Sequence, residues 1–257
     1  MARLLNRNFI LGITGSIAAY KAAELTRDLI REGANVRVVM TEGACEFITP
    51  LTMQALSGHD VHMDLLDTDA EAAMGHIELA RWADVMLIAP ASADSIARLV
   101  QGRANDLLGA CVLATPAPLF IAPAMNQEMW AKKATQDNIK VLNDRGATVL
   151  GPSSGSQACG DVGAGRLLEP ALIVEAITET LGTGLLAGRH VVITAGPTRE
   201  PICPVRYISN RSPGKMGYAL AEACVNAGAK TTLISGPVNC SAVDGVHVIA
   251  VETTQEM

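Results

Sequence analysis

Two short stretches carry side chains able to do chemistry. In PAMNQEMW (123–130), Asn126 follows an apolar run, PLFIAPA (118–124), and is flanked by Met125, Met129 and Trp130. In ACGD (158–161), Cys159 lies between Ala158 and Gly160, with Asp161 next. A carboxamide at a strand end and helix start, with nearby backbone N–H groups, can grip a carboxylate, while the thioethers and the indole wall a pocket. The plainer alternative is an N-cap asparagine beside core methionines. A thiol with an ordinary pKa of about 8.5 is mostly protonated near neutrality, and a neighbouring carboxylate keeps it so. Cys159 is therefore suited to giving a proton rather than to attacking as a nucleophile. An amide that holds a carboxylate and a thiol that donates a proton suit a decarboxylation.

Three further stretches offer binding groups. GITGSIAAYK (12–21) is a glycine turn between a strand and a helix. The amides of Gly15, Ser16 and Ile17 could hold a phosphate without a lysine; the alternative is a plain connecting turn. It is not GxGxxG, and Thr41 ends the second strand where a dinucleotide fold usually places a carboxylate, although Glu42 is adjacent. A mononucleotide such as FMN fits better than NAD. In APASAD (89–94), Ala89, Pro90 and Ala91 end a strand, and Ser92, Ala93 and Asp94 open a helix. Ser92 and Asp94 could bind a phosphate or ribityl chain, or cap that helix. His76 begins the segment GHIELARWAD (75–84), where a helix N-terminus favours a neutral imidazole; a surface histidine near a cap is the alternative.

The elements that position these groups follow from periodicity. Strands are expected at 8–14, 35–40, 84–90 and 118–124, with helices at 17–31, 44–57, 76–82, 93–101, 106–113, 127–144 and 170–181. Such a βαβ rhythm predicts a parallel sheet covered on both faces, with ligands at the carboxyl ends of its strands. The glycine-rich stretch 150–168 shows little periodicity and reads as a functional or disordered loop. LGTGLLAG (181–188) reads as a linker. The pattern restarts with a strand at 189–196, a loop, a helix at 215–227 and a strand at 230–235.

The fold class expected is α/β: a Rossmann-like, flavodoxin-like doubly wound parallel sheet over 1–181, a linker at 182–188, and the first part of a second Rossmann-like domain at 189–257. Two or three strands cannot close such a domain, so the second is expected to be truncated.

Composition narrows the function classes. With 49% hydrophobic, 18% charged and 3% aromatic residues, the 257-residue chain is a globular α/β protein with an aliphatic core. A net charge of −6 without a dense Lys/Arg cluster argues against nucleic acid as the main partner. No apolar stretch is long enough to span a bilayer. The six cysteines form no CxxC pair, so no metal site is expected, and apart from Cys159 they read as small buried hydrophobes of a cytoplasmic protein.

Taken together, GSIAAYK, GHIELARWAD, APASAD, PAMNQEMW and SGSQACGD resemble the bacterial bifunctional phosphopantothenoylcysteine decarboxylase/phosphopantothenate–cysteine ligase family of coenzyme A synthesis. Residues 8–181 are similar to its decarboxylase domain. Residues 189–257, through ITAGPTREPICPVRYISNRSPGKMGYALA, resemble the start of its CTP-dependent ligase domain. The resemblance implies FMN between the subunits of a homotrimer, and trimers assembled into a dodecamer. It also implies His76 beside flavin and substrate, Asn126 on the substrate carboxylate, and a clamp around Ala158, Gly160 and Asp161 with Cys159 as the last proton donor. The implied reaction oxidises the cysteinyl C–S group to a thioaldehyde, which takes up the electrons left by departing CO2, and then reduces and protonates the ene-thiol. In the second domain the resemblance assigns Asn210 to an acyl-cytidylate step and places Lys215 in a segment near the nucleotide. That ligase uses CTP and Mg2+. Pro213 stands where the family commonly has serine. Later CTP-binding and lysine segments have no counterpart before Met257, so ligation is not expected of these residues.

Rival readings are a peptidyl-cysteine decarboxylase, whose pattern lacks the ACGD cysteine, and a flavin prenyltransferase, whose pocket PAMNQEMW does not suit. A third is a non-catalytic flavin-fold regulatory protein, which would carry a long acidic tail.

Overall fold

A computed structural model describes residues 3–65, 75–158, 160–181, 186–241 and 243–257. The chain divides into two compact units, residues 1–178 and 179–257. Residues 182–185 of the expected linker, and Cys159, lie outside the described residues.

The first unit begins with β1 (Asn8–Ile13), buried after its first residue. A 3₁₀ turn (Ile17–Tyr20) runs into α1 (Lys21–Arg31), which buries Ala22, Leu25 and Leu29 and stops before Gly33, at φ +89°. Next come β2 (Asn35–Met40), α2 (Glu42–Cys45) and α3 (Pro50–Ser57). One helix was expected over 44–57. Thr49 breaks it with an extended backbone and caps α3, its hydroxyl accepting from Thr52 N at 3.2 Å, and Pro50 opens the new helix.

The unit continues through α4 (His76–Trp82), β3 (Val85–Ala91), α5 (Ala93–Gln101), α6 (Leu107–Ala114) and β4 (Leu119–Pro123). The helix expected at 127–144 is two helices, α7 (Gln127–Ala131) and α8 (Lys133–Asp144). Lys132 is extended between them. The Thr135 hydroxyl and the Gln136 amide take the carbonyls of Met129 and Trp130, at 2.7 and 2.6 Å. Side chains thus replace the helical partners of those carbonyls.

After the short β5 (Thr148–Val149), the stretch read as a loop holds an antiparallel hairpin, β6 (Ser153–Ser156) and β7 (Val162–Arg166). Serine and glycine give it no hydrophobic alternation to read. The glycines serve close approach: a Cβ on Gly163 would strike the Gln127 side chain, and one on Gly165 the Met125 carbonyl. Next comes α9 (Pro170–Leu181), whose last residues fall in the second unit.

The five strands form one parallel sheet in the order β2-β1-β3-β4-β5. This is the flavodoxin-like order, whose switch point lies between β1 and β3. Ile10, Val39, Met86, Ile88 and Ile121 pack on one face with Ile96, Leu108 and Ile139 from the helices. Phe9, Leu11 and Ile13 alternate with Ile10 and are fully buried as well.

In the second unit, β8 (His190–Ala195) is followed by a small hairpin, β9 (Arg199–Pro201) and β10 (Tyr207–Ser209), inside the segment expected to be a loop. Then come α10 (Lys215–Asn226), β11 (Lys230–Ser235) and β12 (Val246–Ala250), a strand the periodicity did not announce. The parallel sheet β12-β11-β8 packs on α10 around Ile193, Ala195, Ala221 and Leu233. This second, smaller parallel sheet accords with a partial Rossmann-like unit.

The expectation of buried cysteines is corrected: Cys111 is buried, but Cys45, Cys203, Cys224 and Cys240 are half-buried free thiols. Burial, then Asp106, pushes the Cys111 thiol up to about 11. No described helix is long and apolar enough to cross a membrane.

Candidate active site

The carboxyl ends of β1 and β3 are tied by Thr14, which is fully buried. Its hydroxyl donates to Pro90 O at 2.8 Å and accepts from Ser92 N at 2.9 Å. The turn after β1 and the start of α5 are thereby fixed side by side. Thr14 stands, as the sequence places it, at a strand end where ligands bind; its bracing of the two strand ends is visible only in the fold. Ala89, Pro90 and Ala91 belong to the body of β3, where they are buried and set the strand end. Ser92 caps α5, accepting from Ser95 N at 3.2 Å. Asp94 is not the cap; it pairs with Arg98 at 2.8 Å.

Two cavities meet at this switch point. A cleft of about 590 Å³ is lined by Gly15, Ser16 and Ile17, by Ser92 and Ala93, and by Met125, Asn126 and Met129. Ala158, Gln157, Arg166 and Lys21 complete its wall. A second, about 470 Å³, shares Gly15 and Ser92 and adds Thr41, Glu42, Gly43, Asp94, Arg98 and Asp106. Gly15 and Gly43 allow the loops after β1 and β2 to close, since a Cβ on Gly15 would lie 3.1 Å from Gly43 O. Gly43, Gln157, Lys21 and Arg166 were not among the residues picked from sequence; the last three reach the cleft only through the tertiary fold.

Asn126 is held at both ends of its amide. Its Oδ1 accepts from Glu128 N at 2.8 Å, capping α7. That leaves the NH2 as the group turned to the hairpin, where it donates to Asp161 Oδ2 at 2.9 Å and to Gln157 Oε1 at 3.4 Å. The capping reading and a donor role are therefore compatible, because they use opposite ends of one amide. Gln157 also receives Gln127 N at 3.1 Å. Met125 N donates to Gly165 O at 2.9 Å, so the hairpin is tied to the β4–α7 turn at several points.

Lys21 reaches Glu169 at 2.8 Å, and Arg166 lies 3.7 Å from the same carboxylate. The hydrogen bond from Lys21 holds the Glu169 carboxyl below its ordinary range. His76 is the first residue of α4, outside both cavities; Cys111 Sγ contacts its carbonyl at 3.8 Å. Gly160 and Asp161 sit in the turn of the hairpin beside Asn126.

In the second unit a cavity of about 540 Å³ lies where β8 ends and α10 begins, lined by Gly196, Ser212, Gly214 and Lys215. Asn210 is outside its lining, and its Oδ1 accepts from Ser212 N at 2.9 Å.

The family model described as Flavoprotein matches residues 2–182, and this chain belongs to that family. The model described as the DNA/pantothenate metabolism flavoprotein C-terminal domain matches residues 186–257. The chain is 58% identical over 257 residues to the coenzyme A biosynthesis bifunctional protein CoaBC of Vibrio parahaemolyticus, covering all of this chain and 64% of that protein. It is 54% identical over 255 residues to the protein of the same name from Escherichia coli K12, covering 99% of this chain and 63% of that one. The chain thus spans somewhat under two thirds of the length of these relatives. A solved PPC decarboxylase mutant complexed with pantothenoylaminoethenethiol matches with a TM-score of 0.63 and 32% identity, over 69% of this chain and all of that one. The FMN binding protein AtHal3 matches with a TM-score of 0.60 and 33% identity, over 68% of this chain and 96% of that one.

Proposed function

We propose that the first unit is an FMN-dependent decarboxylase that converts 4'-phosphopantothenoyl-L-cysteine to 4'-phosphopantetheine in coenzyme A synthesis. The observation that carries this reading is the Asn126 amide. Its oxygen is committed to α7, so it offers only N–H donors toward the cleft, as a carboxylate site requires.

The residues present fit FMN. The Gly15–Gly43 approach makes a cradle that a side chain would fill. The shared rim at Gly15 and Ser92 joins a cleft walled by Ile17, Met125 and Met129 to a polar cavity with Thr41, Asp94 and Arg98. An apolar ring and a hydroxylated, phosphorylated tail need those two chemistries. Gly15, Ser16, Ile17 and Ser92 would hold the phosphate at helix starts, and Thr41, Ala93 and Asp94 would line the tail. When bound, FMN supplies reversible two-electron redox chemistry.

The chain's own groups bind, orient and move protons. The Asn126 N–H donors fix the substrate carboxylate, so that its C–C bond can break once the C–S group is oxidised. Met125 and Met129 exclude water. Cys159, between Ala158 and Gly160 in the sequence, would give the last proton from its thiol. His76 serves the same site across a subunit contact, which agrees with its place outside this chain's own cavities. Exposed Ile17, Tyr20, Phe47 and Leu51 provide apolar surface for self-association. The assembly proposed is a homotrimer, with trimers joined into a dodecamer, in the cytoplasm. For the second unit the proposed activity is CTP- and Mg2+-dependent ligation of cysteine to 4'-phosphopantothenate by the full-length protein, with Lys215 at the cavity where α10 begins and Asn210 outside its lining, bonded to the lining residue Ser212.

The test is direct. Purified protein should be yellow and release CO2 from phosphopantothenoylcysteine. Cys159→Ser should keep the colour and the CO2 release but yield no 4'-phosphopantetheine. A colourless protein that refuses added FMN would remove the reading, and colour without turnover would support a binding protein instead.

A further inference from the structure

We propose that Asp161 is a built-in stand-in for the substrate's carboxylate: it occupies the Asn126 donor while the site is empty and must leave before substrate can dock. This rests on the assignment of Asn126 as the carboxylate-binding amide. The geometry that points to it is the 2.9 Å bond from Asn126 Nδ2 to Asp161 Oδ2. The Glu128 N–H fixes the other end of the amide, so the NH2 cannot be replaced at the cleft by turning the amide over. A carboxylate already sits on the group that is to receive a carboxylate.

The turn that carries Asp161 is built to reach this position. Gln157 N donates to Asp161 O at 2.7 Å, and Gly160 N to Gln157 O at 3.0 Å, with Gly160 at φ +90°. Only a residue tolerant of the left-handed region closes such a turn without strain. Gln157 Oε1 shares the Asn126 donor and also receives Gln127 N. The turn is therefore latched by its side chains to the start of α7.

Asp161 and Gln157 between them take the two N–H groups of the Asn126 NH2, and a second carboxylate brought to that amide would be repelled by Asp161. Substrate must displace Asp161, and its apparent affinity is reduced by the fraction of molecules in which the latch is closed. The same contact is useful afterwards. Once CO2 has gone, the product carries no carboxylate, and Asp161 can return to the amide. Asp161 then accepts from the Asn126 NH2 beside Gln157 in both the empty and the product states. Asp161 is thus a specificity-determining residue that separates substrate from product, rather than a direct contact to the substrate.

The experiment compares two ligands on the flavin-loaded protein by calorimetry. One is the substrate analogue with serine in place of cysteine, which keeps the carboxylate but has no thiol to oxidise. The other is 4'-phosphopantetheine, which lacks the carboxylate. Asp161→Asn keeps the shape and a weaker acceptor, so the analogue should bind about fivefold tighter while 4'-phosphopantetheine is unchanged. Unchanged or weaker binding of the analogue would overturn the proposal, as would an equal change for both ligands, which would mean a general effect on the hairpin. Asn126→Ser separates the two levels. Weaker binding of the analogue with 4'-phosphopantetheine unchanged supports the carboxylate assignment, whereas unchanged binding of the analogue would overturn that assignment and the stand-in role with it.

Discussion

The edges of the two parallel sheets differ sharply. In the first unit, edge strand β2 has four of its six residues buried; in the second, edge strand β12 has none of its five. Helices pack against the five-stranded sheet so closely that all seven residues of β3 are buried. The three-stranded sheet packs on α10 and leaves Val192, Val248 and Ile249 exposed. The difference teaches what a strand-end site needs. In the first unit, loops from β1, β2, β3 and β4 converge with a hairpin on two joined cavities. In the second, the cavity is formed mainly by the end of β8 and the start of α10.

Substitutions can break or sharpen this contrast. The largest effect is expected in the first core: Leu87→Ala, fully buried in β3, should cost about 2–5 kcal/mol in urea unfolding. The matching truncation Val248→Ala, at a residue 40% exposed, should stay within roughly 1 kcal/mol. Equal losses would erase the distinction between the sheets. Next in size, Asn126→Asp should lower CO2 release by about 10²-fold or more, because it removes the donor and sets a carboxylate beside Asp161. The unfolding of the second unit should not change.

A smaller pair of effects tests the loops. Gly15→Ala presses on Gly43 O and should weaken FMN binding by about tenfold in a fluorescence titration. Gly236→Ala, whose Cβ would strike the Pro197 carbonyl, should perturb the second unit and leave FMN binding intact. Smallest is the Lys21–Glu169 pair, with Glu169 half exposed. Its carboxyl is lowered from 4.5 by the Lys21 hydrogen bond, so its stabilisation is present above that value and fades as pH falls through the lower folded value. Glu169→Gln should cost less than about 1 kcal/mol at pH 7 and nothing measurable at pH 2, read by thermal melts.

Strands, most helices and the parallel order were legible because buried apolar runs and amphipathic stripes leave a period in the sequence. β1, β2, β3 and α1 fall where that period puts them. The hairpin β6–β7 was not legible, since its glycines answer to Gln127 and Met125 rather than to a local pattern. The breaks at Thr49 and Lys132 were hidden because each side of the break remains helical.

The chemical types at the site were fixed by the order of residues alone: an amide after β4, a glycine turn after β1, a hydroxyl cap after β3 and a thiol in a glycine-rich stretch. Which end of the Asn126 amide faces the cleft, and that Asp161 meets it, was decided only in three dimensions. Thr14 likewise acquires its part only because Pro90 and Ser92 come to lie beside it. The physical reason is range: propensity and hydrophobic periodicity act over a few neighbouring residues, whereas a hydrogen bond between groups some thirty-five or seventy-six positions apart exists only once the sheet has brought their strand ends together.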